Sequence, residues 1–168
     1  MTVPEADFTE ALDSWVQFRN AYCKIHRMYA GRGTIAPMVN NNCLRTLTRR
    51  HIGDMERLNV NPVKGPESCR YPELTQSQSD NACAQDAAHE TESRLSEVLD
   101  QARMTIGAGA GLENAHQQWI LYRDSTCDLE GSFYQGGTIQ PAIIANCIAA
   151  LNTARMDYLT ELSLRPRG

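Results

Sequence analysis

The sequence predicts an all-α fold, a disulfide-stapled helical bundle of about five helices built from a duplicated helical hairpin. Three observations lead to this prediction. One stretch of the chain is written twice, cysteines recur at the same spacing in both copies, and apolar residues follow the helical period with no convincing strand pattern. With 168 residues, 42% of them hydrophobic, the chain is also long enough to bury a core.

The internal repeat is the most informative of these features. Aligning residues 11–58 with residues 115–162 gives 12 identities in 48 positions, and many other pairs exchange similar side chains. Phe18, for example, is matched by Tyr122, which preserves the volume available to a core. One structural unit is therefore expected to be present in two copies.

The first copy is predicted to be a helical hairpin. Apolar residues at helical spacing predict the first helix over residues 5–27. Residues 30–33, Ala-Gly-Arg-Gly, break that helix, and Thr34 is a candidate cap for the next one. Because a first helical turn tolerates proline, the second helix is expected to run from about Pro37 to Leu58.

Three further helices are predicted after a linker. Residues 59–72 contain three prolines and no apolar periodicity. An amphipathic helix is expected to begin shortly after Thr75 and to end at about Arg103, and the alternating glycines of residues 107–111 predict a turn or hinge. The last two helices, over about 112–131 and 141–162, repeat the first two.

Six cysteines, an even number, indicate disulfides. Cys23 and Cys43 are 20 residues apart, and the repeat gives Cys127 and Cys147 the same separation. Disulfides persist in oxidising compartments, which favours the periplasm or the extracellular space over the cytosol. Free buried cysteines in a cytosolic protein are the alternative, because six cysteines permit many pairings and the sequence proves none of them.

No metal, cofactor or enzymatic activity is expected. No two cysteines have the CxxC spacing of a zinc or thiol-redox site, and the four histidines do not cluster with them. The chain also lacks a P-loop, a nucleophile elbow and a metal triad. The carboxylates of Asp124, Asp128 and Glu130 are interpreted as part of a solvated helix face rather than as paired catalytic groups.

Charge is distributed unevenly along the chain. The net charge is −4, but residues 1–60 carry +2 and residues 61–168 carry −6. Nucleic acid is a poor partner for this composition, since phosphate binding needs clustered basic residues and the chain has only two lysines. A basic protein partner is compatible with the acidic second copy.

The sequence shows no membrane span. No uninterrupted apolar run reaches transmembrane length, and the N-terminus lacks the basic and apolar regions of a signal peptide. Together with the cysteine pattern, this predicts a periplasmic or secreted chain whose export signal has been removed.

Each copy carries a tryptophan and an arginine one helical turn apart. Trp15 precedes Arg19, and Trp119 precedes Arg123. We interpret both as structural Trp/Arg pairs that fix one helix against another, through packing or a cation–π contact. A binding platform is the alternative, but a scaffold must be kept in both copies whereas a site need persist in only one.

The second copy carries motifs of a known family. Asn-Ala-Cys-Ala at residues 81–84 is followed by W-x-x-x-R-D-x-x-C at residues 119–127 and by Gly-Gly-Thr-Ile-x-Pro at residues 136–141. This string resembles the LprI-type lysozyme-inhibitor domain, a small exported bacterial α-helical module. The resemblance covers residues 69–162 completely, whereas residues 11–58 resemble only the C-terminal half of a second copy.

The resemblance implies a domain organisation and a set of disulfides. The expected domains are a partial repeat over residues 1–60, a linker over residues 61–68 and a complete module over residues 69–168. Either the first copy is a trimmed module, or it packs its exposed face against the second to form one five-helix body. The implied disulfides are Cys69–Cys83, Cys127–Cys147 and, through the repeat, Cys23–Cys43.

The resemblance also implies a function. It predicts an exported binding protein that inhibits a lysozyme or a related peptidoglycan hydrolase by occluding its active site. An immunity protein that neutralises a secreted antibacterial toxin, or a structural adaptor, is the alternative. The sequence identifies neither the target nor the binding face, and it leaves open the role of the arginine-rich stretch of residues 45–57.

The candidate partner-binding residues lie in the two loops that join the helices of each hairpin. Both loops combine aromatic residues with glycine, and a basic side chain suits a carboxylate-containing cleft. The alternative is a disulfide-anchored turn whose aromatic residue points inward, which leaves the residues without a counterpart, Arg32 and Tyr134, as the stronger contact candidates. The candidates are Tyr29, Arg32, Phe133, Tyr134 and Thr138.

Overall fold

The computed structural model describes residues 5–31, 33–58, 69–106 and 110–164. Within these ranges the chain forms five helices and no strand, which confirms the predicted all-α fold. The helices are α1 (Glu5–Tyr29), α2 (Ala36–Leu58), α3 (Gln76–Ile106), α4 (Ala110–Ser132) and α5 (Gln140–Ser163).

The helix boundaries lie close to those predicted from the sequence. α2 begins one residue before Pro37, and α4 begins at Ala110, two residues before its predicted start. The predicted linker over residues 61–68 lies outside the described residues, as do residues 107–109 of the predicted glycine turn.

The two hairpins, α1–α2 and α4–α5, face each other through equivalent residues. The rings of Phe18 and Tyr122, which occupy the same position in the repeat, stack with centroids 5.7 Å apart and an interplanar angle of 5°. Their contacts are also exchanged: the His51 ring lies 5.7 Å from Tyr122, and the Arg155 guanidinium lies 5.2 Å from Phe18. Residues 51 and 155 are themselves equivalent, so the hairpins are related by an approximate twofold axis, as in an isologous dimer interface.

The twofold relation makes α1 antiparallel to α4. Gly111, at the start of α4, lies beside the end of α1, where a Cβ added to it would be 3.7 Å from Ile25 Cγ1 and 3.8 Å from Met28 Sδ. The end of α1 therefore meets the start of α4, and the α1–α2 loop lies at the opposite end of the molecule from the α4–α5 loop.

Among the described helices, α3 adds a third helix to the second hairpin alone. It packs along α5, where Ala84 contacts Ala142 and Ala145 in a small cluster of buried alanines. Small side chains allow two helices to approach closely. The described residues of the first copy contain no counterpart of α3.

The two copies share one hydrophobic core, to which all five helices contribute. Its largest members are buried aromatic and aliphatic side chains. This arrangement favours the second of the two explanations for the incomplete first copy, in which it packs against the complete module; the domain boundaries themselves stay a prediction. The core includes Trp15, Phe18, Tyr22, Leu47, Leu95, Leu99, Trp119, Tyr122, Leu159 and Leu162.

Three disulfides tie these elements together. Cys23–Cys43 joins α1 to α2 and Cys127–Cys147 joins α4 to α5, with Cα atoms 5.6 and 5.5 Å apart. Cys69–Cys83 joins the segment before α3 to its second turn. Each hairpin disulfide spans 20 residues, a loop whose closure stabilises the folded state by about 3 kcal/mol.

None of the described helices is long and apolar enough to cross a membrane.

Candidate partner-binding site

The α4–α5 loop, residues 133–139, presents one of its two aromatic side chains to solvent. Phe133 is 51% exposed, whereas the side chain of Tyr134 is half-buried. Thr138, further along the loop, is exposed. The alternative from the sequence, in which the aromatic residue of the turn points inward, is therefore wrong for Phe133. Its equivalence to Tyr29 suggested a shared core position, but α4 ends at Ser132 and the turn directs Phe133 outward.

The α4–α5 loop is held by turns of its own backbone. Tyr134 N donates to Gly131 O at 3.0 Å, Gly137 N to Tyr134 O at 2.9 Å, and Gln140 N to Gly137 O at 3.2 Å. Gly136 has a φ of 78°, in the left-handed region that favours glycine. With the Cys127–Cys147 disulfide below it, this loop is a rigid projection at one end of the bundle.

A residue of α3 completes the anchoring of this loop. Ile139 occupies the N-cap position of α5 and makes no side-chain cap. Asn81 takes over that role from the neighbouring helix, because its Nδ2 donates to Thr138 O at 2.9 Å and its Oδ1 accepts from Ala142 N at 3.0 Å. Asn81 was not predicted to have a site role. Only its place in the Asn-Ala-Cys-Ala motif singled it out in the sequence.

The α1–α2 loop provides the other candidate residues. Arg32 lies outside the described residues, and so does the side chain of Tyr29, the last residue of α1. Gly31 has a φ of 67°, and its N–H donates to Met28 O at 3.1 Å, so the chain turns directly after α1. The Cys23–Cys43 disulfide anchors this turn as its counterpart anchors the other loop.

The structure does not bring the two candidate loops together. α4 has 23 residues and is therefore about 35 Å long, and the two loops lie beyond its opposite ends. One cleft of a partner protein cannot be expected to contact both. Tyr29, the last residue of α1, is thus separated from Phe133, Tyr134 and Thr138, which lie at the opposite end of the molecule.

The Trp/Arg pair of the second copy lies at the junction of three helices. Trp119 is buried, and the Arg123 guanidinium lies 5.1 Å from its ring centroid. Arg123 Nη1 donates to Glu92 Oε2 on α3 at 2.6 Å and to Asn152 Oδ1 on α5 at 3.2 Å. A side chain engaged with α3 and α5 favours the scaffolding interpretation over a binding platform.

The prediction that three carboxylates of α4 lie on a solvated helix face is wrong for one of them. Asp124 and Asp128 are exposed, and Asp124 accepts a hydrogen bond from Arg123 Nε at 2.8 Å. Glu130 is instead buried, and burial raises its pKa to about 7. The physical reason is the close approach of α5, since a Cβ on the adjacent Gly131 would overlap the side chain of Ile144.

The described residues contain no group of three His, Cys, Asp or Glu side chains that would hold a metal ion. The geometry instead offers two disulfide-anchored loops on a rigid helical scaffold, which suits recognition of another protein.

Comparison with known proteins agrees with this organisation. The family model described as "Lysozyme inhibitor LprI" matches residues 4–55 and 69–159, two segments consistent with a repeated module. A relative from Rhizobium meliloti (strain 1021), an uncharacterized protein, is 39% identical over 56 residues, which is 33% of this chain and 40% of the relative. The match thus spans less than half of that relative's length, and no solved structure matches this chain.

The family assignment also bears on the cellular compartment. Three disulfides and membership in a lysozyme-inhibitor family indicate a protein that works outside the cytoplasm. Since the family model matches most of the sequence in two segments that correspond to the two copies, the chain belongs to the LprI lysozyme inhibitor family.

Proposed function

We propose that this protein binds a lysozyme or a related peptidoglycan hydrolase in the periplasm or outside the cell and inhibits it by occluding its active site. The family match over both copies carries this proposal. The protein acts through contact alone, as a binding protein rather than as an enzyme.

The α4–α5 loop is the segment best suited to enter a cleft. Its exposed Phe133 provides an aromatic anchor of the kind that dominates protein interfaces. The disulfide, the turn hydrogen bonds and the Asn81 bridge fix the loop before binding, which lowers the entropy lost on association. Tyr134 and Thr138 flank the anchor and complete the proposed contact surface.

The α1–α2 loop is the competing segment. Its basic residue, Arg32, would pair with the acidic residues of a hydrolase active site. Because the two loops lie at opposite ends of the molecule, separate substitutions distinguish them.

The test is inhibition of a panel of purified lysozymes by the oxidised protein, with mass spectrometry confirming that all six cysteines are bonded. We expect stoichiometric inhibition, weakened about tenfold by Phe133→Ala. The matched control is Met104→Ala, which removes a 72% exposed apolar side chain near the far end of α3. Arg32→Glu is expected to leave inhibition unchanged.

Other outcomes would change the proposal. Loss of inhibition with Arg32→Glu but not with Phe133→Ala would move the site to the α1–α2 loop. No inhibition of any lysozyme by a correctly bonded sample would overturn the proposal and leave a protein that neutralises one cognate toxin, or an adaptor.

A further inference from the structure

The first copy rebuilds the arginine site of the second copy almost completely. The Arg19 guanidinium lies 4.8 Å from the Trp15 ring, as Arg123 lies over Trp119. Arg19 Nη1 donates to Thr48 Oγ1 at 3.2 Å, where Thr48 is the equivalent of Asn152. Its Nε donates to Asn20 Oδ1 at 3.3 Å, and Asn20 is the equivalent of Asp124.

The two sites differ in their acidic partners. Arg123 is completed by Glu92 of α3 at 2.6 Å and by Asp124. The described part of the first copy has no helix equivalent to α3, and none of the described carboxylates forms an ion pair with Arg19. Arg19 is half-buried and oriented, but it lacks the carboxylate that its counterpart has.

Among the described residues, no helix covers the side of α2 that corresponds to the α3-facing side of α5. On α5, the alanines at positions 142 and 145 pack against α3 and are buried, as is Met156 further along the helix. Their equivalents on α2 are Met38, Asn41 and Ile52, and all three are exposed, Met38 at 67% and Ile52 at 52%. Two large apolar side chains thus lie in solvent on the face that α3 covers in the other copy.

The stretch of α2 between the two apolar residues is basic, whereas the exposed Glu56 lies one turn beyond Ile52. Arg45 and Arg49, both exposed, lie on α2 between Met38 and Ile52. The helix that covers the equivalent face, α3, has six acidic and two basic side chains. The exposed face of α2 carries basic and apolar side chains, and the equivalent face of α5 is covered by the acidic helix α3. An acidic helix with apolar side chains would therefore complement the face of α2.

We propose that Arg19 and the exposed face of α2 bind an acidic amphipathic helix of a partner protein, in the place that α3 occupies on the second hairpin. A carboxylate of that helix pairs with Arg19 as Glu92 pairs with Arg123, and its apolar side chains cover Met38 and Ile52. This surface is separate from the α4–α5 loop, so the protein binds a second partner independently of hydrolase inhibition.

The probe is a synthetic peptide with the sequence of residues 76–106, carrying Cys83→Ser, titrated onto the full oxidised chain. Fluorescence anisotropy of the labelled peptide is expected to show saturable binding that weakens with added salt. Arg19→Gln in the protein and Glu92→Gln in the peptide should each weaken binding by about tenfold. Ile52→Glu should abolish it, and because Ile52 is 52% exposed this substitution is expected to leave folding intact.

The matched control is Arg27→Gln, an exposed arginine of α1, which should leave binding unchanged. Absence of saturable binding, or binding that neither Arg19→Gln nor Ile52→Glu weakens, overturns the proposal. The oligomeric state of the protein is measured alongside. A dimer of the chain that Arg19→Gln dissociates also overturns it, because a second copy would then occupy the face. Unchanged lysozyme inhibition by both variants separates this surface from the inhibitory loop.

Discussion

Arg155 shows how far a single residue can depart from what its type predicts. It is completely buried, with its guanidinium 5.2 Å from the ring of Phe18, 5.4 Å from Tyr22 and 5.8 Å from Trp119. No described residue accepts a hydrogen bond from its Nε, Nη1 or Nη2, and burial lowers its pKa to about 10. Each aromatic contact contributes about 1 to 2 kcal/mol when desolvated, against a burial cost of several kcal/mol for the charge.

Because the aromatic contacts of Arg155 roughly offset the cost of burying its charge, we expect its side-chain volume to contribute more to stability than its charge. Arg155→Met should leave the free energy of unfolding within about 1 kcal/mol of the wild type or raise it, because the apolar side chain fills the site without a desolvation cost. Arg155→Ala should lower it by about 3 kcal/mol by opening a cavity. Urea unfolding followed by circular dichroism measures both values. Equal losses in the two variants would show that the charge itself stabilises the core.

Sequence patterns found some buried polar residues and missed others. The Trp/Arg pairs were recognised because they recur in both copies and lie on one helical stripe. Arg155 and Glu130 were not, because their counterparts in the first copy are His51 and His26 and because arginine and glutamate are seldom fully buried. Their burial is imposed by neighbouring helices, which a local pattern does not describe.

At the scale of helices, the sequence predicted the five elements well because their signals are local. Proline, glycine and apolar spacing each act within a few residues, and the observed boundaries differ from the predicted ones by a few residues at most. The cap of α5 could not be predicted in this way. It comes from Asn81, which is 61 residues away from Ala142 and on another helix.

Removing this distant cap should loosen both α5 and the loop before it. Asn81→Ala leaves Ala142 N and Thr138 O without their partner, so the free energy of unfolding is expected to fall by about 1 to 2 kcal/mol. Asn114→Ala, at an exposed position of α4, is the control and should change stability by less than about 0.5 kcal/mol. Chemical denaturation compares the two variants, and equal stabilities would rule out a capping role for Asn81.

At the scale of the whole molecule, the sequence revealed the duplication but not how the copies meet. A repeat says that two units have the same fold, whereas their relative orientation is set by the side chains between them. Here the stacked pair Phe18 and Tyr122 lies near the approximate twofold axis, and that symmetry sends the two candidate loops to opposite ends. Equivalent positions in the repeat suggested one shared site, but Tyr29 lies at the opposite end of the molecule from Phe133, Tyr134 and Thr138.

Two residues of α4, Glu130 and His116, have pKa values shifted in opposite directions, and these shifts predict how the stability of the protein depends on pH. The pKa of Glu130 is raised from 4.5 to about 7 by burial, so the folded state holds a proton that the unfolded state releases between these values. Its contribution to stability is full below about pH 4.5 and is lost as the pH rises to 7. The pKa of His116 is lowered from 6.5 to about 4, first by burial and then by the charges of Arg155 and Arg103. Its contribution is full above about pH 6.5 and is lost as the pH falls to 4.

The two contributions have opposite slopes and overlap between about pH 4.5 and 6.5, so they should largely cancel in the wild type. Glu130→Gln removes one of them, and its stability should then fall on acidification through this window, by on the order of 1 to 2 kcal/mol. His116→Leu, which introduces the residue of the first copy, Leu12, removes the other, and its stability should rise by a similar amount. Urea unfolding of the three proteins at several pH values across this window measures the slopes. Parallel profiles would show that neither group titrates differently in the folded and unfolded states. Diverging profiles would show two opposed titrations on one helix, one of a buried carboxyl and one of a half-buried imidazole.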